Sequence, residues 1–345
     1  MLTRLFGLLF LSCSALAALG CGSGATFSGS DPSQFTIAAP AARGPMVYVS
    51  NSLDLSVTGY RAADNGDVIP EIRIQGPDTQ LQGARGLAFD RFGRLYVCCG
   101  PNGVNVYAPG ANGDARPIAV IGCAGDPFVG AALAIAPDGD LVLGQNFDAP
   151  GAAIQWLEEG QSGCARFATI AGPDTDINSP NGLAVDDAGL IYAADGAPDF
   201  GAAGISIYQK SASGDSPPLR FLSGPRTGLI RGQLAGVALD ASGTMYALSV
   251  GNSGTGGFIN AFDRNANGDA LPLRTLGGSG SGLDIPQAIA VDHQGILYVA
   301  NIGGGAGSIT SYDSKSLSPL HPLRVVKGPH TGLHQPLYIA VLDQP

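Results

Sequence analysis

The stretch DRNANGDALPL, Asp263 to Leu273, spaces Asp263, Asn265, Asn267, Gly268 and Asp269 as an EF-hand loop spaces its first ligands and its turn glycine. The chemistry implied is calcium coordination. It fails at the twelfth position, where a bidentate glutamate belongs and Arg274 stands. A second candidate is GPHTGLH, which sets His330 and His334 four residues apart. On a helix that spacing would make a metal pair. Cys98, Cys99, Cys123 and Cys164 lie outside the N-terminal segment and show no Cys/His metal spacing. Arginines recur at Arg73, Arg166, Arg220, Arg274 and Arg324, a candidate basic patch. What each group can do depends on the elements that carry it.

Those elements repeat. The phrase SPNGLAVDDAGLIYAAD (Ser179–Asp195) recurs as ARGLAFDRFGRLYVCC (Ala84–Cys99), LAGVALDASGTMYALS (Leu234–Ser249) and PQAIAVDHQGILYVAN (Pro286–Asn301). A weaker copy is GAALAIAPDGDLVLGQ (Gly130–Gln145). Each is two apolar runs around a turn, D-x-x-G in the first four and Ala136-Pro-Asp-Gly in the weaker copy. A third run follows (VNVYA, AIQWL, ISIYQ, INAFD or ITSYD), then a turn and an Arg-bearing fourth run such as PLRFLSGP (Pro218–Pro225). Four short strands in about 50 residues, punctuated by Gly, Asn, Asp and Pro, form one propeller blade. The first repeat opens on a second strand, MVYVSN (Met46–Asn51), and the chain ends on a lone first strand, PLYIAVLD (Pro336–Asp343). These halves complete one blade. The expected fold is all-β: a six-bladed β-propeller of four-stranded blades over residues 44–345. It is closed by pairing of the C-terminal strand with the first N-terminal strands.

Within this frame the candidates change meaning. The opening stretch falls between a third and a fourth strand, where DNGD (Asp64–Asp67), ANGD (Ala111–Asp114) and ASGD (Ala212–Asp215) also lie. Asn/Ser-Gly-Asp therefore predicts a hairpin turn in which Asn and Gly accept positive φ, not a cation loop. The loop holding His330 and His334 has cognates GPDTQLQ and GPRTGLI, so a shared backbone turn accounts for it. The frame puts His293 and His321 on the opposite face. The Asp of D-x-x-G is expected to cap its own turn. The arginines are spread around the rim, where charge discourages edge pairing and can meet the acidic turns. No metal or other cofactor is expected.

Residues 1–21 read as a signal peptide: Arg4 is the positive n-region and Leu5–Leu19 the apolar core, too short to span a bilayer comfortably. The segment ends in ALGC, which resembles a degenerate bacterial lipobox, with Ala18 where Leu is usual and Cys21 as the lipidated residue. Ordinary cleavage after Ala15–Ala17 is the alternative. Residues 22–43, rich in Gly, Ser, Ala and Pro, predict a flexible tether reaching roughly 25 Å as a random coil. The expected location is the bacterial cell envelope, facing periplasm or exterior, with membrane contact through the N-terminal lipid only. A net charge of −10 and 13% charged residues argue against nucleic acid. In an exported chain the cysteines can oxidise. A bridge from Cys99 or Cys98 to Cys123 is expected, across the intervening third strand.

SPNGLAVDDAGLIYAAD and PQAIAVDHQGILYVAN resemble the NHL-repeat type of six-bladed propeller, in a lipoprotein setting. The resemblance implies architecture and is nearly silent on function. Asn181 is similar to the metal-ligating asparagine of the gluconolactonase and regucalcin family, but Arg43 stands where that family's glutamate would fall. Peptidyl-hydroxyglycine lyases resemble the fold too, and their several zinc histidines have no matching cluster here. The face carrying second-to-third and fourth-to-first loops is the one expected to meet a ligand. Its loops are long at Gly144–Ala153, Asp195–Gly204 and Ser249–Phe258. Candidate ligand-binding residues near that mouth are Asn51, Arg85, Asn146, Asn181, Asp195, Asn252, Gln287 and Asn301. The expected function is binding or scaffolding, with a protein, peptide or glycan as partner. The alternative is a hydrolase or lyase at the channel mouth, and a structural role in envelope assembly is the third.

Overall fold

The computed structural model describes residues 44–98, 103–122, 130–145, 152–157, 168–196, 203–229, 234–251, 256–316 and 321–343. Cys21, Cys99, Cys123, Asn146, Asn252, the signal peptide and the tether lie outside them, as does most of the three long loops. Among the described residues all regular strands belong to six antiparallel four-stranded sheets. The first blade contains β1 (Met46–Asn51), β2 (Ser56–Arg61) and β3 (Ile72–Ile74). The second is β4 (Leu87–Phe89), β5 (Leu95–Cys98), β6 (Val104–Tyr107) and β7 (Ala119–Ile121). The third is β8 (Gly130–Ile135), β9 (Leu141–Gln145), β10 (Ala153–Leu157) and β11 (Ala168–Ile170). The fourth is β12 (Pro180–Val185), β13 (Ile191–Asp195), β14 (Gly204–Tyr208) and β15 (Arg220–Leu222). The fifth is β16 (Leu234–Leu239), β17 (Thr244–Val250), β18 (Gly257–Asp263) and β19 (Arg274–Gly277). The sixth is β20 (Pro286–Val291), β21 (Ile296–Asn301), β22 (Ser308–Asp313) and β23 (Arg324–Val326).

The last strand, β24 (Pro336–Leu342), pairs antiparallel with β1 and completes the first blade. The innermost strands β4, β8, β12, β16, β20 and β24 touch in that cyclic order, and β24 returns to β4. The ring is closed as the half-repeats at the two ends require. Apolar clusters fill the spaces between blades. Val47, Val49 and Tyr60 of the first blade, for example, pack with Tyr298, Ile309 and Val326 of the sixth. Burying each such side chain is worth about 1.5–3 kcal/mol.

The D-x-x-G aspartates cap their turns as expected. Asp186 accepts from the Ala188 and Leu190 amides at 3.0 and 2.8 Å, and from the Tyr192 hydroxyl at 3.0 Å. Asp292 does the same with Gln294, Ile296 and Tyr298.

The Asn/Ser-Gly-Asp segments differ from expectation. They are not hairpin turns within a blade; in the first, second, fourth and fifth blades they clamp the blade onto the one before it. Asn267 Oδ1 accepts from Phe221 N at 3.0 Å, Gly268 bridges Leu222 in parallel, and Asp269 Oδ1 accepts from Arg226 N at 2.7 Å. Asn112 and Asp114 grip Arg73 N and Asp78 N, each at 2.8 Å, and Asn65 and Asp67 grip Val325 N and His330 N, each at 2.8 Å. Only the glycine takes positive φ: 83° at Gly66, 66° at Gly113, 64° at Gly214 and 58° at Gly268. The physical reason is edge protection. The outermost strands are three or four residues long. Their outer edges would otherwise offer unpaired backbone, and the neighbour's clamp covers it. Of the oxygens that resembled calcium ligands, those of Asn267 and Asp269 accept from these amides, Asp263 Oδ1 from Asn265 N and Asn265 Oδ1 from the Arg220 guanidinium.

A tyrosine rivets the same seams from inside. The hydroxyls of Tyr60 and Tyr107 donate at 2.6 Å to the carbonyls of Thr331 and Thr79 on the preceding blade, and Tyr312 donates to Ser281 O at 2.8 Å. Tyr208 makes the same bond to Thr175. Phe262 cannot, and Asn260 Nδ2 donates to Thr227 O instead, at 3.3 Å.

Candidate functional site

The mouth of the central channel is built by one step of backbone repeated around the ring. In five innermost strands the ladder to the second strand skips a residue, a β-bulge. The skipped residues are Leu337, Ala131, Asn181, Ala235 and Gln287. Arg85 occupies the same step in the second blade. It stands two residues before Leu87, whose pairing with Val97 matches that of Leu183 with Ala193. Bulges bend a strand and re-aim its side chains at such rims. Around the ring the second, fourth and sixth blades carry Arg85, Asn181 and Gln287. The first, third and fifth carry Leu337, Ala131 and Ala235. Polar and apolar residues thus alternate blade by blade.

Three sequence candidates meet at this step: Arg85, Asn181 and Gln287. Arg85 is exposed, and its guanidinium has no hydrogen-bond or ion-pair partner among the described residues. Asn181 is half-buried; its Nδ2 donates to Leu234 O at 3.0 Å and its Oδ1 accepts from Ser179 Oγ at 3.2 Å. Gln287 Nε2 donates to Ile285 O and Pro286 O at 3.2 and 3.3 Å, and among the described residues Oε1 is left open as an acceptor.

The next residue of each inner strand is small, with one exception: Gly86, Ala132, Gly182, Gly236, Ala288 and Tyr338. A Cβ at Gly182 would stand 2.6 Å from Gly236 Cα, so the strands approach as closely as glycine permits. The Tyr338 side chain uses the space left. Rooted in the first blade, it reaches the fourth, diametrically opposite, where its hydroxyl donates to Asn181 O at 3.4 Å. Burial pushes its phenol well above the usual range, opposed by the nearby positive charge of Arg85. The remaining cavity, lined by Leu87, Leu133, Leu183, Val237, Ile289 and Ile339, measures about 50 Å³. That holds a water or two, not a substrate. As the described residues build it, the mouth is therefore a shallow dish with a tyrosine crossbar for a floor.

Asn51, Asp195 and Asn301 are corrections to the candidate set. They end second strands and are buried, 0%, 2% and 0% exposed. Asn51 Oδ1 accepts from His334 N at 3.0 Å, Asn301 Oδ1 from Asp284 N at 3.1 Å, and Asp195 Oδ1 from Ser179 N at 3.0 Å. They clip down the loops leading into the inner strands. Their task is to position the bulged residues, and nothing of them faces solvent.

The histidines do not converge. His330 Nδ1 lies 2.7 Å from Asp67, His334 Nε2 lies 3.9 Å from Asp54, and His293 Nδ1 lies 2.5 Å from Asp343. Among the described residues no three His, Cys, Asp or Glu side chains are grouped to hold a metal. Arg220 serves a seam, donating to Asn265 Oδ1 and Arg264 O of the fifth blade, both at 3.2 Å, whereas Arg73 pairs within its own blade with Asp54 at 3.1 Å. Arg166 lies outside the described residues.

What sequence reasoning missed was Tyr338. The signal was available: one bulky residue in a column otherwise Gly or Ala.

No protein-family model matches the chain, and no curated protein matches it. Among solved structures it is similar to hydrazine synthase of Kuenenia stuttgartiensis, at 15% identity and a TM-score of 0.53, over 81% of this chain and 80% of that one. It also aligns with the WD40 β-propeller domain of Doa1, at 16% identity and a TM-score of 0.49, over 81% and 79%. At these identities the likeness speaks to the fold alone.

Proposed function

We propose that this chain is an envelope-anchored binding module that recognises a protein, peptide or glycan through the mouth of its propeller. The observation that carries this is the ring of Arg85, Asn181 and Gln287 above a channel blocked by Tyr338. Guanidinium and amide groups hydrogen-bond but do not exchange protons near neutral pH. A dish floored within 50 Å³ offers a surface to grip rather than a pocket to enclose a reaction. Anchoring rests on the ALGC motif at Ala18–Cys21, and the NHL-like character on the repeat phrases.

The test is site-directed photocrosslinking in envelope extract. A benzophenone amino acid at Ala235, on the mouth, should capture partner adducts. The same residue at Ser242, in a D-x-x-G turn on the far face, should not. Equal capture at both positions, or capture at Ser242 alone, would remove the mouth as the recognition surface.

A further inference from the structure

We propose that the arc Gln287–Leu337–Arg85 at the mouth binds a peptide by its carboxylate, a deepening that rests on the binding-module reading above. The three residues occupy the bulge step of consecutive blades: the sixth, the first and the second. In order they present, counting partners among the described residues, an open acceptor, an apolar side chain and an unpartnered cation. Gln287 Nε2 is turned to Ile285 O and Pro286 O, so the atom it offers without a partner among the described residues is the acceptor Oε1. Leu337 is half-buried. Arg85 stands exposed, with no carboxylate against it among the described residues, although the chain as a whole carries −10.

A peptide residue bearing a carboxylate offers the complementary series. Its backbone N–H meets Gln287 Oε1, an apolar group lies over Leu337, and its carboxylate takes the forked donors of Arg85. An acidic sugar would supply the charge and hydroxyl donors. Sugar rings, however, stack best on aromatic faces, and none of the six bulge-step residues is aromatic. A second feature favours a rigid recognition element over a mobile charge. The loop entering β24 is clipped by Asn51 to His334, and the loop entering β20 by Asn301 to Asp284, so Leu337 and Gln287 are held before any ligand arrives. Preorganisation of that kind raises affinity by cutting the ordering cost.

The carboxylate has two sources in a peptide, the C-terminus and an Asp or Glu side chain, and the experiment separates them. Three synthetic heptapeptide libraries are passed over the mature chain at low salt: one with free C-termini, the same sequences amidated, and the same sequences with Asp and Glu replaced by Asn and Gln. Peptides retained from the first library should weaken about 10- to 100-fold in one of the other two, and the one in which they weaken names the source. Arg85→Gln should weaken the same peptides to the same extent. Its melting temperature should stay within about a degree, because surface changes without partners move stability little. If peptides are retained equally by Arg85→Gln, or equally in all three libraries, the carboxylate inference is overturned while the binding reading survives. Retention of acidic oligosaccharides such as oligogalacturonate, with no peptide retained, overturns the peptide. If nothing is retained the inference also falls, and the crosslinking result then decides whether the binding reading falls with it.

Discussion

The tyrosine rivets allow a rank order to be computed from the structure. Tyr60→Phe removes one hydroxyl. The carbonyl of Thr331, on a residue with no exposed surface, then loses the only hydrogen-bond donor it has among the described residues. A buried acceptor left unpaired costs about 1–3 kcal/mol. Tyr312→Phe does the same to Ser281, which is 2% exposed. Tyr107→Phe is different. Thr79 O also receives Asn105 Nδ2 at 3.1 Å, so the carbonyl stays paired and the loss is that of one ordinary bond, about 0.5–1.5 kcal/mol. The fifth blade already makes this substitution, with Phe262 in place and Asn260 on the carbonyl. Urea unfolding, followed by the fluorescence of the single tryptophan, Trp156, gives each value from midpoint and slope. The expected order is Tyr60→Phe and Tyr312→Phe well above Tyr107→Phe. Should Tyr107→Phe prove the costliest, or Tyr60→Phe cost under about 0.5 kcal/mol, unpaired carbonyls do not govern these seams.

Further outcomes follow from the same geometry. Burial pushes the phenols of Tyr48 and Tyr192 up to about 12, above their unfolded value of about 10. Stability is therefore fully present below about pH 10 and lost between 10 and 12, as the unfolded chain's tyrosines ionise first; phenolate absorbance should rise together with loss of far-ultraviolet dichroism, and titration of a still-folded chain would refute this. Gly224 has φ of 136° and its Cβ would fall 2.4 Å from Asp269 Oδ1, so Gly224→Ala should lower stability by about 2 kcal/mol or more. Gly83→Ala, with open space around it, should stay within about 0.5 kcal/mol in the same urea assay. Cys21→Ser should release the chain from membranes or block its processing; unchanged partition and mobility would remove the lipid anchor.

The blade was legible because its information is local. Strand alternation, D-x-x-G and the Pro-x-Arg entry to the outer strand all act within about ten residues, the range over which turn chemistry operates. Closure was legible because two half-repeats have one way to complete each other. The clamp was not. Asn-Gly has the composition of a hairpin turn, and what overrides that reading lies far away in the chain. Asp67 finds His330 across 263 residues, and Asn267 finds Phe221 across 46. A turn residue whose partner sits on the preceding blade looks the same, in sequence, as one whose partner is its own strand.

The candidate site divides along the same line. Asn51, Asn301 and Asn181 share one side chain, yet two are buried clips and the third faces the mouth. What separates them is one step of register. A residue at the end of a second strand points into the loop it must hold, whereas a residue skipped by the ladder of an inner strand is turned toward the axis. The two roles depend on each other. A bulge left to itself would let its side chain wander, and each clip costs the fold a buried polar group that must be fully bonded to be tolerated. That expense in the loops beneath Leu337, Asn181 and Gln287 makes physical sense if the residues above must arrive at a partner already in position.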